Sequence, residues 1–169
     1  MREPREIRYF DYVSAGYPRV RDVLQSDPLG ICHAATMTSA APGATGTAEL
    51  HLTVGAFDIG TNVDLTLRGV EERPASPRAP ETTTLTFEWQ AAGHPWLFPF
   101  MHAELNAYPI NATDTQLELV TRYDPPLGTV GAMVDAVVGH RIANVCVDRF
   151  LADVAGHLRA TLPHDGRPQ

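Results

Sequence analysis

The chain has 169 residues, 44% of them hydrophobic and 20% charged, with a formal net charge of −7 and a pI near 5.4. That length and balance fit one domain with a sizeable core. The acidic character argues against a nucleic-acid partner, which asks for a clustered basic surface. No window reaches the roughly 18 apolar residues of a membrane span. Two cysteines, Cys32 and Cys146, are too few for a disulfide framework and read as reduced thiols. The opening MREPREIRYFDYV has charges but no apolar stretch before a cleavage site, so the expected location is cytoplasmic.

Ile7–Val13 is rich in aromatic and β-branched residues and predicts a first strand. Ser14-Ala15-Gly16 offers a break and a helix cap, and Tyr17-Pro18 starts a short helix with Val20, Val23 and Leu24 on one side. Asp27-Pro28 stops it. Residues 29–40 fit either a second short helix or an irregular covering segment, and 41–46 form a loop.

From Thr47 the period changes to two. Ala48, Leu50, Leu52 and Val54 alternate with polar residues, as do Val63, Leu65 and Leu67. After the proline-rich loop at 72–81 come Leu85, Phe87 and Trp89, then Met101, Ala103, Leu105 and Ala107, then Leu117, Leu119 and Tyr123. Such alternation predicts a sheet with one dry and one wet face. The links are too short for parallel crossovers, so the sheet is an antiparallel meander. Asn111-Ala112-Thr113 matches a glycosylation sequon but reads as turn chemistry at Asn111 and Asp114.

Pro125 and Pro126 cannot donate to a ladder and end the last strand. The chain then commits Thr129–Leu162 to one helix, stopped by Pro163. Unbroken, it would span about 45–50 Å, so a kink is expected at Gly139. Residues 163–169 are expected to be a flexible tail. A one-faced sheet needs a cover, and this helix is the long candidate. One side carries Ala132, Met133, Ala136, Val137, His140, Ala143, Val147, Phe150, Leu151, Val154 and Leu158. That side is bulky near the C-terminus and small at Ala136, His140 and Ala143, which predicts a hollow near mid-helix; the alternative is that Trp89, Phe87 and Met101 fill it. A second apolar set, Val130, Val134, Val138, Ile142 and Val145, needs its own cover. Segment 17–40 or a homodimer contact would supply it.

The order strand, short helices, antiparallel strands and long C-terminal helix resembles the helix-grip fold of the START-like (SRPBCC) superfamily, with its polyketide cyclase/dehydrase and lipid-transport families. The stretches that carry the resemblance are YDPPLGTVGAMVDAVVGHRIANVCVDRFLADVAGHL, 123–158, and GHPWLFPFMHAEL, 93–105. The resemblance implies a single α+β ligand-binding domain over 1–169: a curved antiparallel sheet wrapped around the C-terminal helix, with short N-terminal helices. It also implies a deep apolar pocket for a lipid, polyketide or similar small hydrophobic molecule. Binders, transporters and enzymes share that fold, so it does not choose among them.

The expected pocket walls are Leu65, Phe87, Trp89, Met101, Leu105, Met133, Ala136, Ala143 and Val147. Trp96 and Phe98, in the proline-stiffened loop 94–100, are the expected lid. His140 and Tyr123 are the candidates for proton transfer or ligand orientation, each weighed against a purely structural role. Arg141 points off the inward face and reads as a surface residue. There is no His-x-His, HExxH or Cys-x-x-Cys pattern, no Gly-x-Ser-x-Gly elbow and no phosphate loop, so no metal or cofactor is expected. The leading expectation is a binding or carrier protein. The alternative is a polyketide aromatase/cyclase or dehydratase, and the residues alone leave open whether the chain is an enzyme.

Overall fold

The computed structural model describes residues 5–36, 46–54, 57–91, 100–123 and 132–162, and the side chains of these except at 33, 35–36, 46–63, 90–91 and 132–142. Alternation produces six strands: β1 (Arg5–Val13), β2 (Gly46–Val54), β3 (Phe57–Arg73), β4 (Thr82–Ala91), β5 (Met101–Pro109) and β6 (Thr115–Tyr123). They form one curved antiparallel sheet in the order β1-β6-β5-β4-β3-β2. The meander from β2 to β6 is closed by the first strand, which pairs along its whole length with the last, from Arg5 opposite Tyr123 to Val13 opposite Thr115.

Between β1 and β2 lie α1 (Tyr17–Ser26) and α2 (Pro28–Thr36). The cap falls within the Ser14-Ala15-Gly16 break. Gly16 is the N-cap, extended and without a side-chain bond. Pro18 sits in the first turn, where its missing N–H would have no intrahelical acceptor. Asp27 resolves the ambiguous stretch after it. Its N–H closes α1 on the Val23 carbonyl at 3.1 Å, and its Oδ1 accepts from the Gly30 N–H at 2.9 Å, satisfying a free donor at the start of α2. The Asn111 turn behaves as expected. Asn111 Oδ1 accepts from the Thr113 and Asp114 N–H groups, both at 2.8 Å.

β3 carries a bulge at Arg68, where the register shifts between Leu67 and Gly69. The extra residue re-phases the strand, so the inward set passes from Leu65 and Leu67 to Val70. It also turns Arg68 outward, where its Nε donates to Glu88 Oε2 at 2.7 Å.

The long helix is α3 (Ala132–Thr161), 30 residues. The α-helical run passes through Gly139 without interruption. One interior glycine costs about 1 kcal/mol. The burial of Val147, Phe150, Leu151, Val154 and Leu158 against the sheet outweighs that. The other side of α3 meets α2: Ile31 and Cys32 are buried, as is Cys146. Segment 17–40 therefore supplies a second cover. Val145 stays exposed, and the rest of its apolar stripe lies outside the residues whose side chains are described.

Two polar clips fasten α3 to β1. Tyr9 Oη donates to Asn144 Oδ1 at 3.3 Å. Nearer the C-terminus, Arg159 Nη2 reaches Asp11 Oδ1 at 2.5 Å and the Tyr12 carbonyl at 2.6 Å.

Candidate functional site

The register sorts the inner face of the sheet into rungs. The first is Leu65, Trp89, Met101 and Tyr123, each directly opposite the next. The second is Leu67, Phe87, Ala103, Thr121 and Ile7, and the third is Val70, Leu85, Leu105, Leu119 and Tyr9. Period two puts all of these on the side that α3 covers. Leu65, Phe87, Trp89, Met101, Leu105, Tyr123, Ala143 and Val147, all expected at the pocket, are buried together in one cluster. Met133, Ala136 and His140 lie on α3, but their side chains are outside the described residues; Trp96 and Phe98 are outside them altogether.

Burial is not uniform along the face. The middle of the face is sealed, at Leu85, Leu105 and Leu119 on the third rung and Phe87 on the second, while the flanking Leu67, Val70 and Tyr9 are half-buried and Trp89 on the first rung keeps 8% exposure. Aromatic packing spans the first two rungs. Phe150 projects from α3 between Phe87 and Trp89, with ring centroids 5.3 and 5.1 Å away and an edge-on contact to Trp89. Phe87 and Trp89 are themselves 5.7 Å apart. These three rings fill the gap between helix and sheet, which is the alternative weighed against a hollow at this level.

Two polar side chains lie on the first two rungs of this face. Tyr123 is 3% exposed on the first rung. Thr121 is fully buried on the second, and its Oγ1 has no hydrogen-bond partner. Sequence reasoning passed over Thr121, although its slot between Leu119 and Tyr123 marks it as inward. The other buried threonine hydroxyls are occupied. Thr83 Oγ1 shares a 2.8 Å bond with Tyr17 Oη, and Thr115 Oγ1 donates to the Ala15 carbonyl at 2.8 Å.

The outer face carries a groove of about 470 Å³ lined by Arg8, Arg73, Glu104, Tyr108, Glu118 and Arg122 among others. Its charges are largely mutually paired: Arg8 with Glu118 at 2.8 Å, and Arg122 with Glu6 at 3.2 Å and Glu104 at 3.5 Å. Exposed pairs of this kind hold a solvated face and contribute little to stability. Among the described residues no three His, Cys, Asp or Glu side chains converge as metal ligands, and no helix is long and apolar enough to cross a membrane.

Neither a protein-family model nor a curated protein sequence matches the chain. Solved structures do match its fold. A conserved protein from Geobacillus kaustophilus is 17% identical, with a TM-score of 0.51 over 93% of this chain and 97% of its own. Ara h 8.0201 is 7% identical, with a TM-score of 0.50 over 93% and 99%. Truncated norcoclaurine synthase from Thalictrum flavum is 10% identical, with a TM-score of 0.50 over 92% and 93%. These likenesses extend over nearly the whole of each chain. The architecture is the helix-grip arrangement expected from residues 93–105 and 123–158.

Proposed function

We propose, from the START-like helix-grip fold that this chain carries, that it binds a small hydrophobic molecule between the first-rung end of the sheet and α3. One observation supports this reading above the others. The inner face is largely apolar and buries the hydroxyls of Tyr123 and Thr121 beside Leu65, Trp89 and Met101. Such a face recognises a guest by apolar contact and orients it with one or two hydrogen bonds. Trp96 and Phe98 would close the mouth, and Met133, Ala136, Ala143 and Val147 would form the helix side. The chain acts in this reading as a carrier or sequestering protein within the cytoplasm.

The test is native mass spectrometry of purified protein incubated with an apolar extract, paired with thermal shift. A retained small molecule and a raised melting temperature support the reading. Protein that retains nothing and is not shifted by any apolar probe refutes it.

A second reading is proton-transfer catalysis of the aromatase/cyclase or dehydratase type, favoured by a phenol buried on the first rung. Tyr123 would donate a hydrogen bond to the substrate and His140 would move the proton. His140→Ala retaining full turnover on a substrate that the wild-type protein converts would remove that role.

A further inference from the structure

The unpartnered hydroxyl of Thr121 carries an inference that rests on the binding reading and sharpens it. A buried hydroxyl without a partner costs folding free energy, and native chains retain few. Thr121 is fully sealed and its Oγ1 bonds to nothing. An idle site on this face would be served better by valine, which has the same shape and no polar atom. Beside it in the rung stands Ala103, a bare methyl. Diagonal to it stands Met101, opposite Tyr123 on the neighbouring rung. Methionine is unbranched and adapts its shape readily.

We propose that Thr121 Oγ1 is the anchor for a single oxygen acceptor, carbonyl or ether, on an otherwise apolar guest. The hydroxyl donates its proton to that oxygen, and Met101 is the side chain that moves aside. The guest is thus an oxygenated hydrophobic molecule rather than a plain hydrocarbon. A site built to hydrogen-bond an oxygen discriminates against the analogue that lacks it.

The experiment uses two probes of nearly equal shape, 2-acetylnaphthalene and 2-ethylnaphthalene, titrated into wild-type protein, Thr121→Val and Thr121→Ser. Wild type is expected to bind the ketone more tightly. Thr121→Val is expected to weaken the ketone by roughly five- to tenfold, about one neutral hydrogen bond, and to leave the hydrocarbon within twofold. Thr121→Ser keeps the hydroxyl and is expected to retain the ketone preference. The melting temperature of Thr121→Val without probe should equal or exceed that of wild type, which separates lost binding from lost folding. Equal weakening of both probes, or none for the ketone, overturns the anchor while leaving the pocket standing. Wild type that binds neither probe overturns the binding reading and the anchor together.

Discussion

Replacing Phe150 by alanine tests how the sheet and helix are joined. Phe150 is 2% exposed and touches two rings, Phe87 and Trp89, at centroid distances inside the favourable range for aromatic pairs. Each pair contributes about 0.5–1.5 kcal/mol beyond area burial. Truncating a buried phenylalanine also loses its transfer free energy and leaves a cavity, for a total of about 3–5 kcal/mol. In a chain of this size that lowers the melting temperature by roughly 6–20 °C, at about 2–4 °C per kcal/mol. In urea, with a slope of about 2 kcal/mol/M, the midpoint should fall by roughly 1.5–2.5 M. Circular dichroism at 222 nm follows the transition. Phe150→Leu, which keeps much of the volume, should cost less than about 1.5 kcal/mol. If Phe150→Ala costs under about 1 kcal/mol with an unchanged slope, the three rings are not what joins helix to sheet at the first two rungs, and the reasoning fails.

Other expectations are independent of that one. Burial pushes the Cys32 and Cys146 thiols up to about 12; a raised folded value stabilises below the unfolded value of 9.0 and is lost as pH rises from 9 toward 12. Both thiols should therefore be silent to a disulfide reagent in native protein and react together on unfolding; fast native labelling would contradict their burial. Asp114 is held below its usual 3.8 by the Asn111 side-chain amide first and the Thr113 hydroxyl after it. Its contribution is complete above about 3.8 and fades as pH falls below that, so Asp114→Asn should flatten the acid limb of a pH–melting curve; an unchanged limb would refute the turn's role. Arg159→Met removes charge-assisted bonds to Asp11 and the Tyr12 carbonyl and, because the arginine is 37% exposed and screened by solvent, should cost about 1 kcal/mol, read as faster amide exchange in the last turns of α3. Exchange unchanged there would mean the clip is ornamental.

The strands and the long helix were legible because both obey a single period along the chain: Leu85, Phe87 and Trp89 declare a dry face, and Val147, Phe150, Val154 and Leu158 declare a helical one. The pairing of β1 with β6 was not, since nothing local to Ile7–Val13 names a partner more than a hundred residues away. The bulge at Arg68 hid for another reason. One inserted residue resets the phase, so the inward Val70 falls out of step with Leu65 and Leu67. α2 stayed ambiguous because Gly30 weakens the helical signal while Asp27, which satisfies Gly30's N–H, lies just outside the segment. At the candidate site the rung of Leu65, Trp89, Met101 and Tyr123 follows from alternation. The solitude of Thr121 does not. A threonine in a strand is ordinary, and whether its hydroxyl finds an acceptor depends on neighbours from three separate strands.

One edge of the sheet, β1, is a place where another chain could add itself, because an edge strand offers unused backbone groups. Here Arg159 already grips the Tyr12 carbonyl at 2.6 Å. An intruding ribbon would have to evict a guanidinium before it could bond there. The helix that grips the sheet thus doubles as a guard on its border, and a chain stripped of that arginine would be more prone to stick to copies of itself.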